Sequence, residues 1–142
     1  MARDPSATAR AVDSSVAIAA ILADDELHEA AEQALADSGL TIAHVAAETY
    51  SVLTRITPPH RLDADTAATI LERRLPPQRV TLDADQHASA IRRLADAHIS
   101  GGATYDGLIA LTALEYNITL ISRDHRAART YKALGVHFQL LG

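Results

Sequence analysis

A chain of 142 residues suits one self-sufficient domain that buries roughly two thirds of its unfolded surface, and its formal charge of −5 is too acidic for a broad phosphate-binding footprint. The absence of cysteine excludes a disulfide framework, thiol catalysis and thiolate metal sites, so any metal must be held by oxygen or imidazole; it also fits a reducing cytoplasm. The polar start Met1-Ala2-Arg3-Asp4-Pro5-Ser6 and the short apolar run Val16 to Leu22 are expected to give neither an export signal nor a membrane span.

After a loose segment over 1–8, Ala9-Arg10-Ala11-Val12 reads as a short strand that runs straight into Asp13-Ser14-Ser15 and an alanine-rich buried helix over Val16–Leu22. Asp24-Asp25-Glu26 supplies an N-cap and acidic first turn for a helix to about Asp37, a better reading of three adjacent acids than a metal cluster. Leu40-Thr41-Ile42 is a strand candidate, and His44 to about Thr57 has helical character until Pro58-Pro59 stops it. In that helix Val45, Val52 and Ile56 form an apolar stripe with Glu48 at its edge. An acid on the core-facing side is either paired with an arginine such as Arg55 or belongs to a site.

Leu62-Asp63-Ala64-Asp65 and Leu82-Asp83-Ala84-Asp85 imitate an Asp-x-Asp signature, but each opens a helical segment with Asp63 or Asp83 as N-cap, and Gln86 completes a capping box. Arg79-Val80-Thr81 is a minor strand between these helices, and the second helix runs to about Ala97. Gly101-Gly102 then marks a loop, Thr104 can cap the next helix, Asp106 falls in its first turn, and Ala110 and Ala113 let it lie close to a sheet. Ile118-Thr119-Leu120-Ile121 is a buried strand ending in Ser122-Arg123-Asp124. A helix carrying Arg126, Arg129 and Lys132 follows, then a stop at Leu134-Gly135 and a last strand at Val136-His137-Phe138. The seven histidines show no paired helical spacing, and there is no phosphate loop, nucleophile elbow or dinucleotide glycine pattern.

Alternating short strands and helices predict an α/β fold with a mostly parallel sheet of four to five strands flanked by helices, whose site lies beyond the carboxyl ends of the strands. Asp13 and Asp124 stand at strand exits, Asp106 opens the helix before the Asp124 strand, and Glu48 is the natural fourth member. At about 4 Å and an effective dielectric near 20, each like-charged pair costs on the order of 4 kcal/mol. A hard ion such as Mg²⁺ or Mn²⁺ relieves that cost and suits metal-assisted phosphodiester hydrolysis. Arg123 and Arg126, with Arg129, are the local cations for a phosphate backbone; Lys132 is the single lysine among thirteen basic residues.

Val12-Asp13-Ser14-Ser15-Val16, Glu48-Thr49-Tyr50-Ser51-Val52-Leu53, Tyr105-Asp106-Gly107-Leu108-Ile109-Ala110 and Leu120-Ile121-Ser122-Arg123-Asp124 stand in that order. Together they resemble a PIN-domain ribonuclease, most of all the VapC toxins of bacterial VapBC toxin–antitoxin pairs, over residues 9–138. The resemblance implies one PIN-like domain across 1–142 in which Asp13, Glu48, Asp106 and Asp124 bind Mg²⁺ or Mn²⁺, with Ser15 and Ser122 supporting them by hydrogen bonds. It also implies endonucleolytic cleavage of a tRNA or ribosomal RNA, a homodimer, a cognate antitoxin of the VapB type whose tail blocks the site, and a cytoplasmic location. Gly107 departs from the pattern, in which a better helix former such as alanine is usual, and is expected to loosen the helix start by about 1 kcal/mol. The alternatives are a catalytically silent PIN-like module that binds RNA or protein, and a receiver-type signalling domain. The second would need a lysine at a strand end near the acids, whereas Lys132 lies in the late helix.

Overall fold

The computed structural model describes residues 9–142; the loose segment expected over 1–8 lies outside the described residues. In chain order the elements are β1 (Ala9–Val12), α1 (Ser14–Ile21), α2 (His28–Ala36), β2 (Thr41–Ile42), α3 (Ala43–Arg55), α4 (Ala64–Arg74), β3 (Arg79–Val80), α5 (Ala84–Asp96), α6 (Ala103–Glu115), β4 (Ile118–Ser122), α7 (His125–Leu134) and β5 (Phe138–Leu140). Among the described residues no helix is long and apolar enough to cross a membrane.

Every strand pairing is parallel, as the α/β alternation predicts, but the five strands form two sheets: β1-β4-β5 and the short pair β2-β3. The register sets Ala9 against Ile118 and Val12 against Ile121. The small sheet is tied to the large one by the Gly39 amide, which donates to the Arg10 carbonyl at 3.3 Å.

Side-chain alternation along β1 and β4 divides the core. Val12 and Ile121 face a cluster with Val16, Ala20, Leu35 and Leu53 from α1, α2 and α3. Ala11 and Leu120 face the opposite cluster, with Ile109, Ala110 and Ala113 of α6 and Tyr131 of α7. Covered on both faces, β4 buries Ile118, Leu120, Ile121 and Ser122, with only Thr119 half-buried.

Four local expectations are corrected. Helix α2 starts at His28, because the chain first turns on Asp25, whose carboxylate accepts from the Leu27 amide at 2.8 Å and whose carbonyl accepts from the His28 amide at 3.0 Å. The buried stripe of α3 is Val45, Thr49 and Leu53, with Val52 and Ile56 only half-buried. The Thr49 hydroxyl can enter the core because it donates to the Val45 carbonyl at 2.7 Å. Helix α6 has no side-chain cap: it starts at Ala103 from the Gly101-Gly102 turn, with Thr104 already inside. The last strand begins at Phe138, since the Gly135 and Val136 amides fold back onto the Lys132 and Tyr131 carbonyls, both at 3.1 Å, closing α7 in a turn that needs φ of 77° at Gly135.

Gly107 is a packing site. A Cβ there would meet Leu94 Cδ2 of α5 at 2.4 Å, so the missing side chain admits Leu94, and the helix-propensity cost is the smaller part of its effect.

The two Asp-x-Asp pairs serve helices. Asp63 accepts from the Thr66 amide at 2.8 Å, and Asp83 and Gln86 form a reciprocal capping box. Asp83→Ala is expected to lower the unfolding free energy by about 1 kcal/mol, read as a shift in urea midpoint at unchanged slope. A variant as stable as the parent would mean that the cap contributes nothing.

Candidate active site

The site is assembled at the carboxyl ends of β1 and β4. After Val12 the Asp13 amide continues the ladder to the Ile121 carbonyl at 2.9 Å, and the chain then turns into α1 with Asp13 as N-cap. Asp13 is almost wholly enclosed. Oδ1 accepts from the Ser15 hydroxyl at 2.5 Å and the Val16 amide at 3.3 Å, and Oδ2 accepts from the Tyr131 hydroxyl at 2.8 Å. Burial pushes its carboxyl above the usual range, against the hydroxyls of Ser122, Ser15 and Tyr131 and the Val16 amide, which all favour the ionised form. The Tyr131 phenol is likewise raised, by burial first and by the neighbouring Asp13 charge second, so it stays a proton donor.

Asp124 holds the corresponding place after β4. It caps α7, with Oδ1 accepting from the Arg126 amide at 2.8 Å and the Ala127 amide at 3.4 Å. Between the strands the two serines interlock: Ser15 Oγ accepts from the Arg123 amide at 3.0 Å and lies 3.4 Å from Ser122 Oγ, which in turn accepts from the Asp124 amide at 3.1 Å. Ser15 and Ser122 thus join the turn after β1 to the turn after β4.

Glu48 enters from α3. Its Oε1 accepts a short hydrogen bond from Ser14 of α1, and its Oε2 lies 4.0 Å from His44 Nε2 one turn earlier. No Arg55 pairing occurs; that guanidinium reaches Ser51 Oγ at 3.4 Å. Asp106 lies in the first turn of α6, and among the described residues no hydrogen bond reaches its carboxylate. Its carboxyl is pushed up to about 6, by burial first and then by the like charges of Glu48, Asp13 and Asp124. The four acids thus come from four helices into one electrostatic neighbourhood.

The donor set is all carboxylate oxygen, which suits a hard divalent cation, and the charges raising Asp106 are of the sign such an ion would offset. Among the described residues no three His, Asp or Glu side chains already stand in the arrangement that would hold a metal ion. Several oxygens are committed to hydroxyls and amides, while both oxygens of Asp106 are free to turn.

The arginine candidates differ. Arg123 is engaged, its Nη1 contacting both Asp25 oxygens at 2.6 and 2.7 Å and its Nη2 3.9 Å from Glu26; the Leu27 amide first, and then this guanidinium, hold the Asp25 carboxyl low. The acidic triplet is therefore mainly an ion-pairing element, with Asp24 also 2.7 Å from His60. Arg126 and Arg129 lie exposed on α7 and make no ion pair among the described residues.

Sequence reasoning did not single out Ser14 or Tyr131. Ser14 adjoins Asp13 in the first helical turn, and Tyr131 follows Asp124 by two turns on the same helix face. Those spacings were the available signals.

The model of the PIN domain family matches residues 10–133. Ribonuclease VapC40 of Mycobacterium tuberculosis is 40% identical over 131 residues, covering 92% of this chain and 98% of the relative. Ribonuclease VapC27 of the same species is 40% identical over 129 residues, covering 89% and 93%. A solved structure described as FitAB bound to an IR36 DNA fragment superposes with a TM-score of 0.62 at 20% identity, covering 91% of this chain and 92% of that one, a likeness of fold.

Proposed function

The chain belongs to the PIN-domain family and to its VapC branch, and from that premise we propose that it is a divalent-metal-dependent endoribonuclease toxin, held in check by a cognate antitoxin. The observation that carries the reading is the convergence of Asp13, Glu48, Asp106 and Asp124, felt at Asp106 as a carboxyl raised by burial first and then by the charges of its three acidic neighbours. Asp13, Asp106 and Asp124, with Glu48, would hold Mg²⁺ or Mn²⁺ directly or through water. A bound ion supplies Lewis-acid activation of water and neutralises charge at a phosphate.

The remaining roles fall to the protein. Ser15, Val16 and Tyr131 fix the orientation of Asp13, the α7 amides fix Asp124, and Ser14 fixes Glu48, so three acids are preorganised and Asp106 adjusts. Ser15 and Ser122 act by holding the two turns together. Arg126, exposed on α7, is the residue proposed to meet a phosphate oxygen, whereas Arg123 anchors the Asp124 turn to Asp25. The exposed guanidinium groups of α7 are the local cations that would draw RNA to a chain of net negative charge. An antitoxin segment bearing arginine would neutralise the same pocket and exclude substrate. A tRNA or ribosomal RNA is the proposed substrate, a homodimer the assembly and the cytoplasm the location.

The test is cleavage of a mixed pool of structured RNA by purified protein with Mg²⁺, Mn²⁺ or EDTA, beside Asp106→Asn prepared identically. Cutting that needs the metal and falls at least about a hundredfold in the variant is expected. Equal cutting by the variant would overturn the site assignment. Divalent binding with no cutting of a pool containing the cell's tRNA and ribosomal RNA would favour a silent binding module.

A further inference from the structure

We infer that the stacked pair His44–Tyr105 is a base-stacking platform beside the acidic site, holding a nucleotide that flanks the scissile phosphate of a single-stranded RNA segment. The inference rests on the ribonuclease reading and adds a substrate subsite to it. The two rings are parallel within 4°, with centroids 5.7 Å apart. They bridge α3 and α6 where each helix delivers an acid: Tyr105 immediately precedes Asp106, and His44 lies one turn before Glu48, its Nε2 4.0 Å from Glu48 Oε2.

Tyr105 is the most exposed tyrosine at 54%, and the His44 side chain is 35% exposed, so an aromatic surface faces solvent at the rim. The pairing holds both rings at a fixed angle, so little rotamer freedom is lost when a base adds to the stack.

Among the described residues no other aromatic pair is equivalent. The chain has four tyrosines, one phenylalanine and no tryptophan. Tyr131 and Phe138 meet edge to face at 6.0 Å, with Tyr131 fully buried, and Tyr116 is anchored by donating to the Thr81 carbonyl at 2.8 Å. Tyr50 lies two residues beyond Glu48, roughly half a turn round α3 from it.

Charge makes such a platform useful. With a net charge of −5 and four clustered acids, phosphate contacts alone bring RNA here against repulsion, whereas base stacking on an aromatic face does not depend on that field. Every base has a π-face, so the platform selects single-stranded or splayed nucleotides rather than one base identity.

The experiment measures kinetics on an RNA that the parent protein cuts, for the parent, Tyr105→Ala and Tyr105→Phe, with abasic sites introduced one at a time around the cut. Tyr105→Ala is expected to raise KM about tenfold with kcat within about twofold, and Tyr105→Phe to stay near the parent. At one flanking position an abasic substitution should cost the parent a similar factor and cost Tyr105→Ala little more. An unchanged KM in Tyr105→Ala, or no abasic position at which the two losses overlap, would overturn the platform while leaving the nuclease in place. A parent protein that cuts no RNA would overturn both.

Discussion

Metal-free Asp106→Asn is expected to melt several degrees above the parent at pH 7 and at the same temperature below about pH 4. The folded-state carboxyl of Asp106 lies at about 6, above its ordinary 3.8, so between those values the folded chain holds a proton that the unfolded chain has lost. Stability therefore falls as pH rises through that window, and the cost is complete above about pH 6. A shift of this size corresponds to just under about 3 kcal/mol for a fully buried group, and Asp106 is partly exposed, so about 1–2 kcal/mol is the expected gain in the variant. Adding Mg²⁺ should reverse the order, stabilising the parent and leaving Asp106→Asn unmoved. Thermal unfolding from pH 4 to 8, with and without Mg²⁺, reads both effects, and a melting difference constant across that range would show that neither burial nor the neighbouring acids burden Asp106.

The second large effect is expected at Tyr131. Tyr131→Phe keeps the ring beside Phe138 but removes the donor to Asp13 Oδ2, leaving part of a buried carboxylate without its partner. A loss of about 1–3 kcal/mol in unfolding free energy follows, and RNA cleavage should fall as Asp13 loses its fixed orientation. Since the Asp13 carboxyl is already raised by burial, removing the phenol pushes it higher, so the deficit grows as pH rises and the charged form must be kept inside. The double variant Asp13→Asn/Tyr131→Phe should cost less than the two single losses combined, because no buried charge is then left unpaired. Additive losses in denaturant unfolding would mean that the contact carries no coupling.

Local chemistry made much of this molecule readable from the chain alone. The caps at Asp63 and Asp83 depend on residues three positions away, and β4 on the β-branched and apolar residues of 118–121, so both appear in short windows. The α3 stripe was misjudged at Thr49 because a hydroxyl counts as polar until its own helix satisfies it. Convergence of the acids followed from placing strand exits on one side of a parallel sheet, which needs topology but no distances. Contacts that join remote segments were invisible: Tyr131 with Asp13, and Arg123 with Asp25, are matched by three-dimensional proximity, and a tyrosine or arginine in a helix or turn carries no mark of its distant partner. Gly107 belongs to the same class, since its reason is a leucine on another helix.

The pairing of β1 with β4 also sets a timetable. Strand β1 is made about a hundred residues before its neighbour at residues 118–122, so the central ladder and the turns that Ser15 and Ser122 join cannot close until that neighbour has been synthesised. A nascent chain can carry Asp13, Glu48 and Asp106 and still lack the strand that seats them. On the proposed reading, the order of synthesis then becomes a safeguard: the acids would be seated for catalysis only after β4 has been made and paired.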